Sequence, residues 1–271
     1  MVFRHGGILV AAGCLMISLL AGTSLASDAP LTADEIMQKA VARAEVIADP
    51  VGQPSYRYER RTVTDELDAS GNLREHTDKL FDVVIAKRTT AKLVQVNGHA
   101  PSASELKKQE QLEDAERKRI AESRSGDKPS LKGNLFTTDL ISRYQFTLVG
   151  KKEINGRAAY YLTFKPKANL PVHRITDRFL NQVAGKVWID AEEFEIARAQ
   201  IGLQTEVTLW AGIIGTLRRC DFTLDRIRLP DGAWFASSSH GVIEGRKLLE
   251  NMYMRTRSEC SNFRREGLAM R

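Results

Sequence analysis

Few residues of this 271-residue chain stand where catalytic chemistry would need them. His76, His99, His173 and His240 are each isolated from other ligand-type residues, so they offer no metal-binding set. Ser239 and His240 are adjacent. On a strand such neighbours point to opposite faces, so hydroxyl and imidazole cannot meet directly as nucleophile and base. Asp190, Glu192 and Glu193 gather carboxylates, but in a turn-like stretch where solvent exposure is the default. Nothing selects from them the spaced pair that glycoside hydrolysis requires. A Gly-x-Ser-x-Gly elbow, a phosphate-cradling Gly loop and a His-Glu-x-x-His helix are all missing. The chain reads as a non-enzyme with no cofactor and no metal.

The apolar features are more informative. Leu209-Trp210-Ala211-Gly212-Ile213-Ile214-Gly215-Thr216-Leu217 is a Gly-punctuated apolar loop between strands. Loops normally face water, so such a loop either packs over the core or lines an apolar cavity. Trp188 and Trp234 fall in stretches that read as buried strands. Core packing is one reading of these residues and ligand contact the other. Trp188, Trp210, Ile213, Ile214 and Trp234 are therefore the candidate ligand-binding residues, forming an apolar cavity and its lip.

The elements that must position them are mostly strands. Thr32-Ala33-Asp34-Glu35 is a capping box, and Ile36, Ala40, Ala44, Ile47 and Ala48 then follow helical spacing until Pro50 and Gly52. Its narrow, Ala-rich stripe suits a helix lying on a sheet. Tyr56 and Tyr58 alternate with Arg57 and Glu59, and Thr62 and Thr64 continue that face. Further strands are expected at 81–86, 93–96, 144–149, 159–164, 186–190, 195–203, 205–209, 219–229, 234–243 and 248–260. Ile175, Phe179 and Val183 share one face of a short helix. Asn155-Gly156 is a type I′ hairpin signal, and Pro230-Asp231-Gly232 and Gly245-Arg246 read as turns. Roughly ten strands with few intervening helices argue an antiparallel meander rather than a parallel α/β sheet. The insertion at 102–128 stands apart. It opens with a second capping box, Ser102-Ala103-Ser104-Glu105, and Glu113 with Arg117 and Asp114 with Lys118 hold the favourable i,i+4 order. With few apolar residues, among them Leu106, Leu112, Ala115 and Ile120, it reads as a solvated helix or, alternatively, a partner-docking arm.

Composition places the chain. Hydrophobic residues are 42% and charged residues 27%, and the formal net charge is +6 with both signs mixed. That excludes wholesale disorder and gives no concentrated basic patch for nucleic acid, while peripheral contact with an anionic membrane is allowed. Residues 1–26 read as a signal peptide: Arg4, an apolar run from Ile8 to Leu20, then Ser24-Leu25-Ala26 as a cleavage site. A retained anchor and lipidation at Cys14 are the alternatives. Cleavage after Ala26 leaves a periplasmic chain with Cys220 and Cys260. In a meander closed at Pro230-Asp231-Gly232 and Gly245-Arg246, Cys220 lies opposite about Ile243 and Cys260 opposite about Asp231. That is on the order of 40 Å, far beyond disulfide reach, so two separate thiols are expected.

The order of these features resembles the LolA/LolB-like superfamily, and within it the outer membrane lipoprotein-sorting relatives with a charged helical insertion. The resemblance rests on Leu93-Val94-Gln95-Val96-Asn97-Gly98 leading into the charged helix, and on Phe146-Thr147-Leu148-Val149-Gly150 with Ile154-Asn155-Gly156-Arg157. It rests further on Gly185-Lys186-Val187-Trp188-Ile189-Asp190, the apolar Gly loop, and Asp231-Gly232-Ala233-Trp234. It implies a mainly β (α+β) fold over residues 27–271: a single half-barrel domain, that is, a strongly curved antiparallel sheet or incomplete β-barrel, with helices covering a concave apolar face. It also implies a monomeric periplasmic binder or carrier of lipid, or of lipoprotein acyl chains. The alternative is an envelope structural or stress-sensing module of the same fold that docks a protein partner.

Overall fold

The computed structural model describes residues 30–48, 54–86, 89–124, 141–173, 175–209, 215–247 and 250–267. The signal segment, Cys14, Trp210, Ile213, Ile214 and residues 125–128 lie outside the described residues.

Both capping boxes close as their sequences require. The Glu35 backbone N–H donates to Thr32 Oγ1 at 3.3 Å, and the Thr32 N–H donates back to Glu35 Oε2 at 2.8 Å. Ser102 and Glu105 repeat the exchange at 3.3 and 2.8 Å. Helix α1 (Ala33–Ala48) starts at the first box and α2 (Ala103–Arg124) at the second. Beyond the caps the two differ. Ile36, Met37, Ala40 and Val41 of α1 are buried, a wider stripe than the Ala-rich one expected, because Met37 and Val41 turn inward too. Leu106 and Leu112 of α2 stay about half exposed.

The strands are β1 (Ser55–Leu67), β2 (Leu73–Ile85), β3 (Thr89–Val96), β4 (Tyr144–Ile154), β5 (Arg157–Pro166), β6 (Val183–Asp190), β7 (Ile196–Leu203), β8 (Val207–Leu209), β9 (Gly215–Arg228), β10 (Trp234–Lys247) and β11 (Glu250–Glu266). They pair antiparallel in the order β3-β2-β1-β11-β10-β9-β7-β6-β5-β4, with β8 on β9. The mainly β expectation holds, as one large open sheet. The strong curl of a half-barrel does not: the sheet is neither closed nor strongly curled, and among the described residues β3 and β4 end the strand order without a further partner. Helix α3 (Ile175–Leu180) ends before Val183, which opens β6 instead of continuing the helix.

The turns follow backbone chemistry. Asn155 and Gly156 have φ of 52° and 75°, the two positive values of a type I′ turn, and Asn97-Gly98 repeats them at 48° and 83°. The expected turn at Gly245-Arg246 is instead strand: β10 runs on to Lys247, which pairs with Glu250. Gly245 is there because a Cβ would come 2.5 Å from the Thr216 carbonyl oxygen of β9. The register places Cys220 opposite Ile243, as expected, but Cys260 opposite Arg60 rather than beside Asp231. Both cysteines are free thiols.

Directly paired residues share a face of a sheet. One row runs Leu162, Val187, Ala199, Leu224, Ser239, Ser258, Thr62 across β5, β6, β7, β9, β10, β11 and β1. The next row on that face runs Phe164, Gly185, Ile201, Phe222, Gly241, Thr256, Thr64. The opposite face carries Lys186, Gln200, Thr223, His240, Arg257 and Val63. One face is thus apolar giving way to small residues, and the other is mainly polar.

Candidate functional site

The apolar face changes character along its length. At the β4–β6 end Leu162, Val187 and Ile189 are 0% exposed and Tyr144 is 7% exposed. Helix α1 lies against β4. Lys39 stands 5.0 Å over the Phe194 ring, which stacks on Tyr160, and Arg43 reaches Glu195 at 3.2 Å. Burial pushes the Tyr144 phenol up to about 12, and its hydroxyl donates to the Leu180 carbonyl at 2.9 Å. This end is ordinary core.

Across β7, β9, β10 and β11 the same face is only half-buried: Ile201, Cys220, Phe222, Leu224, Ile243 and Met254 all keep partial exposure. Between these apolar residues and a second buried cluster, Phe81, Val83, Leu93 and Val96, the face falls to Ser239, Gly241, Ser258, Thr256, Thr62 and Thr64. The Thr62 and Ser258 hydroxyls bond each other at 3.0 Å. Small side chains between larger ones make a shallow trough with an apolar wall on each side. Burial pushes the thiols of Cys220 and Cys260 up, consistent with their place on this face.

A second assembly closes one end of the strands. Asp190 is 1% exposed and accepts two hydrogen bonds from Arg157, at 2.6 and 3.0 Å. Burial alone would raise its carboxyl, but the Arg157 bonds and the Glu193 and Glu192 backbone N–H groups outweigh it and hold the carboxyl below its usual range. Glu193 accepts from Arg228 at 2.7 Å and from the Trp234 indole N–H at 2.6 Å, and is lowered in the same way against its own burial. Glu195, 4% exposed, sits between Arg43 of α1 and Arg226 of β9, the latter at 2.7 Å. Phe194, between two of these carboxylates, has φ of 56°, a left-handed conformation that a bulky residue holds only under constraint. The expectation of solvent exposure holds for Glu192 alone, whose side chain is 78% exposed. Asp190 and Glu195 go inside because arginines meet them there. Each carboxylate is committed to a cation, which suits a clamp more than a proton donor.

The sequence candidates separate. Trp188 is 6% exposed, but alternation puts it on the face opposite Val187 and Ile189. It stacks on Tyr161 at 4.9 Å, lies under Arg198 at 5.8 Å, and leaves its indole N–H without a partner. Trp234 belongs to the strand-end clamp. Trp210, Ile213 and Ile214 lie outside the described residues, in the segment leading from β8 to β9. Several clefts are lined by described residues. One of about 360 Å³ lies on the polar face between Arg61, Asp65, His240, Arg255 and Glu259. Another, of about 500 Å³, lies between Leu170, Val172, Arg178, Val207 and Thr208. Ser239 and His240 indeed face opposite ways. Among the described residues no group of three His, Cys, Asp or Glu is placed to hold a metal.

Sequence reasoning missed Phe222, Leu224, Ile243 and Met254. The available signal was the i,i+2 alternation of Cys220, Phe222 and Leu224 on β9 and of Met252 and Met254 on β11; Ile243, between Gly241 and Gly245, has no such alternation.

No known family profile and no curated protein matches the chain. Among solved structures it is similar to a LolA superfamily protein from Nitrosomonas europaea, with 12% identity over 88% of this chain and 96% of that one, at a TM-score of 0.30. It is also similar to a DUF1329 family protein from Desulfovibrio piger, with 12% identity over 89% and 96%, at 0.34. A putative outer membrane lipoprotein-sorting protein domain from Vibrio parahaemolyticus follows, with 14% identity over 86% and 92%, at 0.32. The structural neighbours are thus of the kind that the sequence resembles. The site itself is defined by register and side-chain contacts, not by these likenesses.

Proposed function

We propose that this chain is a binder or carrier of lipid, or of the acyl chains of lipidated protein, acting outside the cytoplasm without catalysis. One observation carries the reading: an open sheet whose apolar face is packed at one end and half-buried in the middle. An acyl chain laid along Leu224, Phe222, Ile243 and Met254 would remove that surface from water. Each buried CH₂ contributes about 0.8 kcal/mol, so a chain of ordinary length suffices for useful affinity without any titrating group. The segment with Trp210, Ile213 and Ile214, which joins β8 to β9 in sequence, would form the lip. Among the described residues no helix is long and apolar enough to cross a membrane, and a signal peptide at 1–26 would supply the compartment.

The test is direct. Protein extracted from its native envelope should carry lipid identifiable by mass spectrometry. After delipidation it should bind a fluorescent fatty acid in the micromolar range or better, and Phe222→Asp or the pair Ile213→Asp and Ile214→Asp should weaken that binding. A delipidated protein that binds no acyl probe would rule the reading out.

A further inference from the structure

Arg60 occupies an unusual place. It pairs with Cys260 on one side and Phe81 on the other, so it stands on the apolar face. Its guanidinium lies 4.8 Å over the Phe81 ring, and its Nε is buried with no hydrogen-bond partner. The arginines beside it are different. Arg57 forks onto Asp82 with two bonds of 2.8 Å, and Arg61 binds Asp78 at 2.6 Å, both on the polar face. Among the described residues no carboxylate pairs with Arg60. A buried N–H without an acceptor costs about 1–3 kcal/mol, and a cation on an apolar surface invites an anion. The trough of Ser258, Thr256, Ser239 and Gly241 begins beside it and leads to Ile243, Phe222 and Leu224.

We infer that Arg60 is the headgroup anchor of this face, and that the ligand it selects is a lipid with an anionic head. This rests on the lipid-binding reading above and adds the ligand's charge and polarity. The head, a carboxylate or a phosphate ester, accepts from the planar guanidinium fork, which matches either oxyanion. The acyl chain then runs from β1 across β11 and β10 towards β9. The Thr62 and Ser258 hydroxyls lie at the junction and can turn towards the head.

The experiment compares two probes of equal chain length, a long-chain fatty acid and the corresponding fatty alcohol, competing with a neutral fluorescent lipid on the delipidated full chain. The wild-type protein should prefer the acid by about tenfold, the worth of one charge-assisted hydrogen bond. Arg60→Met should bring that preference close to one, acid binding falling far more than alcohol binding, and Arg60→Lys should retain part of it. Inorganic phosphate alone should not compete at millimolar concentration, because it lacks the chain. Melting of Arg60→Met should stay near the wild-type value, since the change removes an unmet N–H and keeps the apolar stem. An acid preference that survives in Arg60→Met would overturn the anchor and leave the lipid reading standing. Failure of both probes to bind would overturn both.

Discussion

Two stretches of the apolar face, its β4–β6 end and its middle, are built from the same kinds of residue and differ in what covers them. Around Leu162, Val187 and Ile189 exposure falls to zero, with α1 laid across and fixed through Arg43 and Lys39. Around Phe222, Leu224 and Ile243 the same register rows remain half-buried. Alternation makes a strand apolar on one face, but a covering element turns that face into core. Where cover is incomplete, the same residues remain an apolar surface that a ligand could cover.

The largest expected effect tests that difference. Leu162→Ala should destabilise by about 2–5 kcal/mol, as a cavity in packed core does, whereas Phe222→Ala should cost about 1 kcal/mol and act mainly on lipid affinity. Urea unfolding of both variants measures the contrast. Equal losses would mean that the middle of the face is core as well, and the site would have to be sought elsewhere.

The strand-end clamp gives the next effect. Asp190→Asn leaves Arg157 facing a neutral amide in a largely buried place and should cost about 3 kcal/mol, moderated by Arg157's own access to water and Glu192. The pH dependence follows from the lowered carboxyls of Asp190 and Glu193. Their folded values lie below unfolded values of about 3.9 and 4.3, so the unfolded chain binds more protons in that range. Their stabilisation is complete above about pH 5 and is lost as pH falls through the folded values. Unfolding free energy measured downward from pH 6 should decline less steeply in Asp190→Asn than in the wild type. Parallel curves would show that this pair does not set the acid response.

These contrasts also show what the sequence could reveal. Caps and turns are local, so Thr32, Ser102 and Asn155-Gly156 were legible from a few residues each. Gly245 was misread because its role is a close approach to Thr216 of another strand, which no local signal encodes. Trp188 was drawn to the cavity by its size, although its parity with Val187 and Ile189 sends it to the other face. Arg60 shares parity with Tyr56, Tyr58 and Thr62, and that break in the pattern was the legible trace of the proposed anchor. The paired carboxylates were out of reach, since Asp190 and Glu195 are made tolerable inside by Arg157, Arg226 and Arg43, which are distant in sequence.

The two helices offer a smaller effect. Helix α1 covers the packed end, whereas α2 meets the sheet through Lys79, whose ammonium donates to Gln109 Oε1 at 3.1 Å, and leaves its leucines exposed. Its own pairs, such as Glu113 with Arg117 at 3.6 Å, are worth tenths of a kcal/mol. Replacing 102–128 by a short Gly/Ser linker should leave the melting temperature within a few degrees. A large loss would make α2 a cover for the face comparable to α1.

The smallest expected effect is none at all, and it tests the geometry of the open stretch through its two thiols. Cys220 lies in line with Ile243, and Ile243 in line with Met254 two strands away from β9. Cys260 is on the strand of Met254, six positions further along it. At about 3.3 Å per residue along β11 and about 4.8 Å per strand across, the separation is on the order of 20 Å. That is half the distance expected when Gly245-Arg246 was read as the turn, yet still well beyond the roughly 7 Å between Cα atoms that a disulfide tolerates. Both cysteines sit on the apolar face with thiols raised by burial, so neither is an activated thiolate. A reductant should therefore leave the melting temperature unchanged, and unreduced protein should show two reactive thiols once denatured. Slow labelling before denaturation, speeded by delipidation, would place both thiols beneath bound lipid. A reductant-sensitive melting temperature in monomeric protein would instead mean that β9 and β11 are paired in a different register, and the trough beside Arg60 would have to be redrawn.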